Sequence, residues 1–129
     1  MNTHIRELIF SLAISVYTLL GFAVAGNDIE FLKSTMPTKN TLIIVSADWC
    51  LPCRVVRKWI KEDAVMKNIL SYYEVQMYDF DKDKDIVKKY GVSSVPFFAI
   101  IKNNEIVSKK VGVNNGKNGL ELFLRTNKD

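Results

Sequence analysis

From residue 41 to residue 46 the chain reads Thr-Leu-Ile-Ile-Val-Ser, an apolar and β-branched run with no polar alternation inside it. That pattern predicts a strand covered on both faces. Downstream the period changes. Val55, Val56, Trp59 and Ile60 recur at helical spacing and predict a helix from Cys50 to about Lys61. Pro52 fits its first turn, where backbone N–H groups have no intrahelical partner and a missing one costs little. Glu62-Asp63 reads as a break and restart, with Asp63 placed to cap a second stretch through Val65, Met66, Ile69 and Leu70. Tyr72 to Asp79 then alternates, Val75 and Met77 facing one way and Glu74 and Gln76 the other, as in a half-covered strand.

Asp83 to Tyr90 predicts a short helix ended by Gly91, and Phe97 to Ile101 another buried strand. Asn103-Asn104 suits a hairpin turn, since asparagine tolerates positive φ. Glu105 to Val111 alternates, with Lys109 and Lys110 suited to a sheet edge. After Gly112 and the Asn114-Asn115-Gly116 turn, Leu120, Phe123 and Leu124 mark a closing helix. Upstream, Ile29, Phe31, Leu32 and Met36 predict a short first helix over Asn27–Met36, with Pro37 just past its end. The order α-β-α-β-α-β-β-α predicts an α/β fold: a central mixed sheet of four strands with helices on both faces.

The first 25 residues read differently. Met1 to Glu7 is a short polar start, Leu8 to Ala25 is almost wholly apolar, and Ala23-Val24-Ala25 supplies the small–x–small pattern of a signal-peptidase site. Residues 1–25 are expected to be a signal peptide, or an uncleaved membrane anchor through residues 8–25, because the apolar run is long and Glu7 offsets Arg6. Either reading exports the domain at residues 26–129, with the periplasm as its expected compartment. Of the 129 residues, 18 are Lys or Arg and 14 Asp or Glu, a net charge of +4. The lysines are interleaved with acids and form no continuous basic stripe, so nothing points to nucleic acid. A monomer is expected.

The chemistry centres on Cys50 and Cys53, the chain's two cysteines. They sit where the first strand gives way to a helix. Unpaired N–H groups and the positive end of the helix dipole there favour a thiolate. Zinc needs about four ligands, and residues 26–129 contain these two sulfurs and no histidine, His4 being in the export segment. A c-type haem site would need histidine at position 54, which is Arg54. A metal shared between chains and a plain structural disulfide remain open. A ring this tight removes little chain entropy, roughly 2 kcal/mol by the loop-closure relation, and is better suited to opening and closing. The expected chemistry is therefore a redox dithiol with no metal and no other cofactor. Cys50, the more exposed sulfur, attacks a substrate disulfide, and Cys53 then attacks Cys50 and releases the reduced substrate.

Four further features surround this pair. Arg54 and Arg57 read best as solvated helix cations, and Asp48 as a charge that disfavours the Cys50 thiolate. Trp49 is either plain core or a lid over the disulfide. Val95-Pro96 directly precedes a strand and marks a tight turn, with spacing alone leaving cis and trans open. Asp79 to Asp85 begins like a calcium loop, but Lys84 replaces its glycine and Tyr90 its closing glutamate, so it reads as a charged connection.

These motifs together resemble the thioredoxin family over residues 27–126. Ala47-Asp48-Trp49-Cys50-Leu51-Pro52-Cys53-Arg54 is similar to its W-C-x-x-C site, and Tyr90-Gly91-Val92-Ser93-Ser94-Val95-Pro96 to its Y-G-[IV]-x-x-[IV]-P segment. Lys102-Asn103-Asn104-Glu105 resembles its hairpin and Lys110-Val111-Gly112 the glycine that lines its groove. The resemblance implies a thioredoxin-like fold and makes Pro96 a cis-proline facing the disulfide. It also implies a supporting surface of Trp49, Leu51, Pro52, Val95, Pro96 and Gly112, with the Val95 backbone as an edge for an extended substrate segment. Where cytosolic members carry a buried Asp and a partner Lys, this chain has Ile44 and Met77, which implies a dry floor beneath the site. Ala-Asp-Trp-Cys and the Glu62-Asp63-Ala64-Val65 restart are most similar to exported relatives, notably the C-terminal thioredoxin-like domain of the bacterial transmembrane disulfide-interchange reductase. The implied role is reduction of protein disulfides outside the cytoplasm, fed by a membrane-bound dithiol donor. Oxidase or isomerase action by the same pair, and a non-catalytic binding module, are the alternatives.

Overall fold

A computed structural model describes residues 38–129 of the chain. The expected helix at Asn27–Met36 and the apolar segment at residues 1–25 lie outside the described residues. Residues 39–129 form one compact unit. Its elements are β1 (Asn40–Ser46), α1 (Leu51–Glu62), α2 (Ala64–Leu70), β2 (Tyr73–Asp79), α3 (Lys84–Tyr90), β3 (Phe97–Lys102), β4 (Glu105–Val111) and α4 (Gly116–Thr126).

The strands make one mixed sheet in the order β2-β1-β3-β4. β2 runs parallel to β1, while β1 with β3 and β3 with β4 are antiparallel. Burial follows the apolar run. Leu42 and Ile44 of β1 pack on one face with Val56, Met66, Ile69, Leu120 and Leu124 from α1, α2 and α4. Ile43 and Val45 pack on the other with Val92, Phe97 and Ala99, and Val87 and Tyr90 of α3 lean against them. The two faces of one strand thus serve two halves of the core. That is the predicted layer arrangement.

The punctuation is local chemistry. Asp63 ends α1 by donating its N–H to the Trp59 carbonyl at 3.0 Å and starts α2 by accepting the Met66 N–H on Oδ1 at 2.9 Å. Gly91 ends α3 at φ 63°, a left-handed conformation that costs glycine nothing. Asn103 and Asn104 turn the β3–β4 hairpin at φ 52° and 66°.

One expectation about β2 needs correcting. Val75 and Met77 share a face with buried Tyr73, yet they are 36% and 46% exposed. β2 is an outer strand, and the apolar cluster on that face draws on β1 and β3 but takes only Tyr73 from β2. Alternation in the sequence gives the facing of a side chain, not how far the neighbouring helices reach over it.

Candidate active site

β1 ends at Ser46, and the chain turns through residues 47–50, closed by the Cys50 N–H on the Ala47 carbonyl at 3.3 Å. Cys50 then occupies the N-cap of α1, with φ −85° and ψ 110°. At an N-cap a side-chain acceptor takes one of the orphan N–H groups of the first turn, a part usually played by Ser, Thr, Asp or Asn. Here sulfur plays it: the Cys53 N–H donates to Cys50 Sγ at 3.3 Å. Pro52, with no N–H, leaves that donor without a competitor at the preceding position. The two Cα atoms are 5.2 Å apart and the Sγ atoms stand at disulfide distance.

The cysteines differ little in exposure. Cys53 is fully buried and Cys50 is 5% exposed, so Cys50 is the more accessible of two enclosed sulfurs. Ala47 completes their small cluster, and Phe80 and Val95 pack against it. Leu51, Pro52 and Trp49 are exposed around this centre. Trp49 leans edge-on to Phe80, with ring centroids 6.4 Å apart, and its Nε1–H donates to Asp81 Oδ2 at 2.8 Å. Cover over the sulfurs therefore comes from Phe80 and Val95, while Trp49, 62% exposed, forms an outer wall instead of the lid that its sequence position suggested.

The second half of the site comes from the turn before β3. The Val95–Pro96 peptide bond is cis, and the Val95 carbonyl oxygen lies 3.7 Å from Cys50 Sγ. Pro96 is buried, and its own carbonyl accepts the Gly112 N–H at 2.8 Å. Gly112 sits at φ +71°, and a Cβ there would come within 3.3 Å of Asn114 Oδ1. The end of β4 is thereby held to the residue that follows Val95. Trp49, Leu51 and Pro52 adjoin the cysteines in sequence and Val95 touches them in space, while Pro96 and Gly112 connect to them through Val95.

Charge around the pair is arranged in a way the sequence did not suggest. Arg54 and Arg57 are not free helix cations. Arg54 Nε donates to the Asp48 carbonyl at 3.0 Å, and Arg57 Nη1 donates to Asp48 Oδ1 at 3.2 Å. Two carboxylates of the Asp79–Asp85 connection, those of Asp79 and Asp83, turn onto its own backbone. Asp79 Oδ1 accepts the N–H groups of Asp81 and Lys82 at 2.8 and 3.0 Å, and Asp83 Oδ2 accepts that of Asp79 at 2.6 Å. These contacts brace the loop that presents Phe80 and Asp81, two site residues that sequence reasoning assigned to a featureless charged turn. Their signal was available: Phe80 is a lone aromatic among acids directly after a strand.

Of the two positions expected to form a dry floor, Ile44 is 1% exposed and packs in the cluster of Leu42, Val56 and Phe98, while its partner in register, Met77, is 46% exposed. Among the described residues no group of three or more His, Cys, Asp or Glu side chains is placed to hold a metal.

Comparison with known proteins agrees with this geometry. The thioredoxin family model matches residues 24–126. A thioredoxin of Rickettsia bellii is 35% identical over 98 residues, covering 76% of this chain and 88% of its own. A thioredoxin H-type protein of Fagopyrum esculentum is 32% identical, covering 64% of this chain and 69% of its own. Among solved structures, Fasciola hepatica thioredoxin superposes with a TM-score of 0.60 at 25% identity, over 77% of this chain and 90% of that one. With a Cys-x-x-Cys pair at a helix N-terminus beside a four-stranded mixed sheet, and with the family model matched over most of its length, the chain belongs to the thioredoxin family of thiol–disulfide oxidoreductases.

Proposed function

We propose that the protein is an exported reductase of protein disulfides, acting as a monomer with Cys50 as nucleophile and Cys53 as resolving thiol. Thioredoxins need no cofactor beyond their cysteines and act on disulfide-containing substrates with a reductant partner. The choice of Cys50 as nucleophile rests mainly on one observation: Cys50 Sγ caps the helix, takes the Cys53 N–H at 3.3 Å, and is the more accessible sulfur. An N–H aimed at sulfur stabilises a thiolate more than a thiol, because a hydrogen bond to the charged form favours that form.

The reaction then balances as two exchanges. The Cys50 thiolate attacks one sulfur of a substrate disulfide, forms a mixed disulfide and expels the other substrate sulfur as a thiolate, which takes up a proton. Cys53, after losing its proton, attacks Cys50; the Cys50–Cys53 disulfide forms and the second substrate thiol leaves. Two electrons have passed to the substrate, and an external dithiol must return two to the pair. Trp49, Leu51 and Pro52 supply an apolar rim for the client, and the backbone at Val95 supplies an edge for an extended segment.

Export is supported by the apolar run at Leu8–Ala25 and the Ala23-Val24-Ala25 pattern. A membrane-bound dithiol donor is the partner this location calls for. A Cys53→Ser variant expressed in the full chain tests the proposal. It is expected to accumulate mixed disulfides through Cys50 with proteins outside the cytoplasm, separable by reduction. Recovery of none, or of cytoplasmic proteins alone, contradicts it.

A further inference from the structure

Asp48 precedes Cys50 by two residues, in the turn closed on the Ala47 carbonyl. A carboxylate this close opposes ionisation of the thiol, since a like charge raises the cost of the second. Two arginines of α1 converge on that one residue: Arg54 on its carbonyl oxygen at 3.0 Å and Arg57 on its Oδ1 at 3.2 Å. They stand one helical turn apart and share a face of α1. Across the site, Asp81 holds Trp49 Nε1 at 2.8 Å and has Lys84 Nζ at 3.9 Å. Both of these carboxylates therefore have a cation, while among the described residues Arg54 bonds only a backbone oxygen and enters no ion pair. Ala47, Phe80 and Val95, which pack on the cysteines, carry no charge.

We propose that Arg57 is a positioning residue for the thiol chemistry: paired to Asp48, it offsets that carboxylate at Cys50 and steadies the turn that carries the cysteine, leaving Arg54 and the helix N-terminus to favour the thiolate. The pair itself adds little to folding, because the Asp48 side chain is 80% exposed and surface ion pairs contribute weakly. Its effect on the sulfur is a separate matter. Removing Arg57 leaves the Asp48 charge without its counter-ion two residues from Cys50, and in a largely aqueous setting this raises the thiol pKa by roughly a few tenths of a unit. This inference rests on Cys50 being the attacking thiol.

The test is iodoacetamide alkylation of the reduced full chain across pH, with the modified cysteine located by mass spectrometry. Arg57→Gln is expected to slow alkylation of Cys50 about twofold below its pKa at low ionic strength. Arg57→Lys should restore the wild-type profile, and so should Asp48→Asn placed together with Arg57→Gln. Added salt should shrink the difference. An Arg57→Gln protein that titrates as wild type, with Cys50 still alkylated first, overturns this inference and leaves the nucleophile assignment standing. First alkylation at Cys53 overturns both. A shift that Asp48→Asn fails to reverse overturns the role given to Asp48.

Discussion

Sulfur at a helix N-cap links the smallest structural feature of this protein to its chemistry. The Cys53 N–H points at Cys50 Sγ in the disulfide, and a thiolate at the same place gains a charge-assisted bond that a disulfide sulfur does not. Cys50→Ser is accordingly expected to remove reduction of a protein disulfide to background, with dithiothreitol as terminal reductant. Cys53→Ser should keep the first exchange and lose turnover, so that a single stoichiometric burst replaces steady state. Gly112 matters at the same scale for a different reason. It combines φ +71° with a nearby Asn114 Oδ1 and an N–H committed to the Pro96 carbonyl. Gly112→Ala should cost about 1–2 kcal/mol in chemical denaturation, since left-handed φ is unfavourable for a residue with a Cβ. If stability is unchanged, the φ strain argued for this position is wrong.

At the scale of elements, the α1–α2 break depends on Asp63, which caps α2 and also meets Lys117 of α4 at 2.5 Å. The Lys117 bond holds the Asp63 carboxyl below the ordinary 3.8, and the same bond lifts Lys117 above 10.5. The signs oppose. The native state gives up the Asp63 proton more readily than the unfolded chain, so that contribution is present above about pH 4 and fades as pH falls through the depressed value. Lys117 holds its proton more tightly when folded, so its contribution fades as pH rises past 10.5. Burial pushes the Tyr73 hydroxyl, bonded to the Leu124 carbonyl at 2.5 Å, up to about 12. The stability it lends is intact below pH 10.0 and is lost between there and about 12. Asp63→Asn should therefore flatten the acid limb of a denaturation–pH profile while keeping the cap, and Asp63→Ala should also lower the midpoint at neutral pH. Tyr73→Phe should cost about 1–2 kcal/mol by leaving a buried carbonyl without its donor, and should flatten the alkaline limb. Caps of this kind are legible in a sequence because donor and acceptor lie three residues apart. The Asp63–Lys117 contact joins residues 54 apart and carries no local signal.

For the whole molecule, the mixed sheet brings three distant segments to one place: the start of α1, the turn before β3 and the end of β4. The first two were legible as motifs, Asp48–Cys53 and Val95-Pro96, because backbone chemistry at a helix start and before a strand restricts which residues fit. The outward stance of Trp49 and the exposure of Met77 were not legible. Each depends on how far one element reaches over another, and periodicity does not encode that distance. The residue at position 77 shows this best: its apolar character suggested a floor, and the outer strand places it half in water. Ile44 is buried in β1, and its partner in register at β2 is not ionisable. On the proposed account the thiol pair is tuned from its rim and its helix, by Arg54, Arg57 and the N-terminus of α1. The reduction potential of the Cys50–Cys53 pair, measured by equilibration with glutathione or with a reference thioredoxin, tests the reductase assignment most directly. A value at the reducing end of the range, nearer the about −270 mV of thioredoxin than the potential of oxidising pairs, is the expected result. A value near the about −120 mV of strongly oxidising pairs would contradict it and make the same two cysteines a disulfide donor.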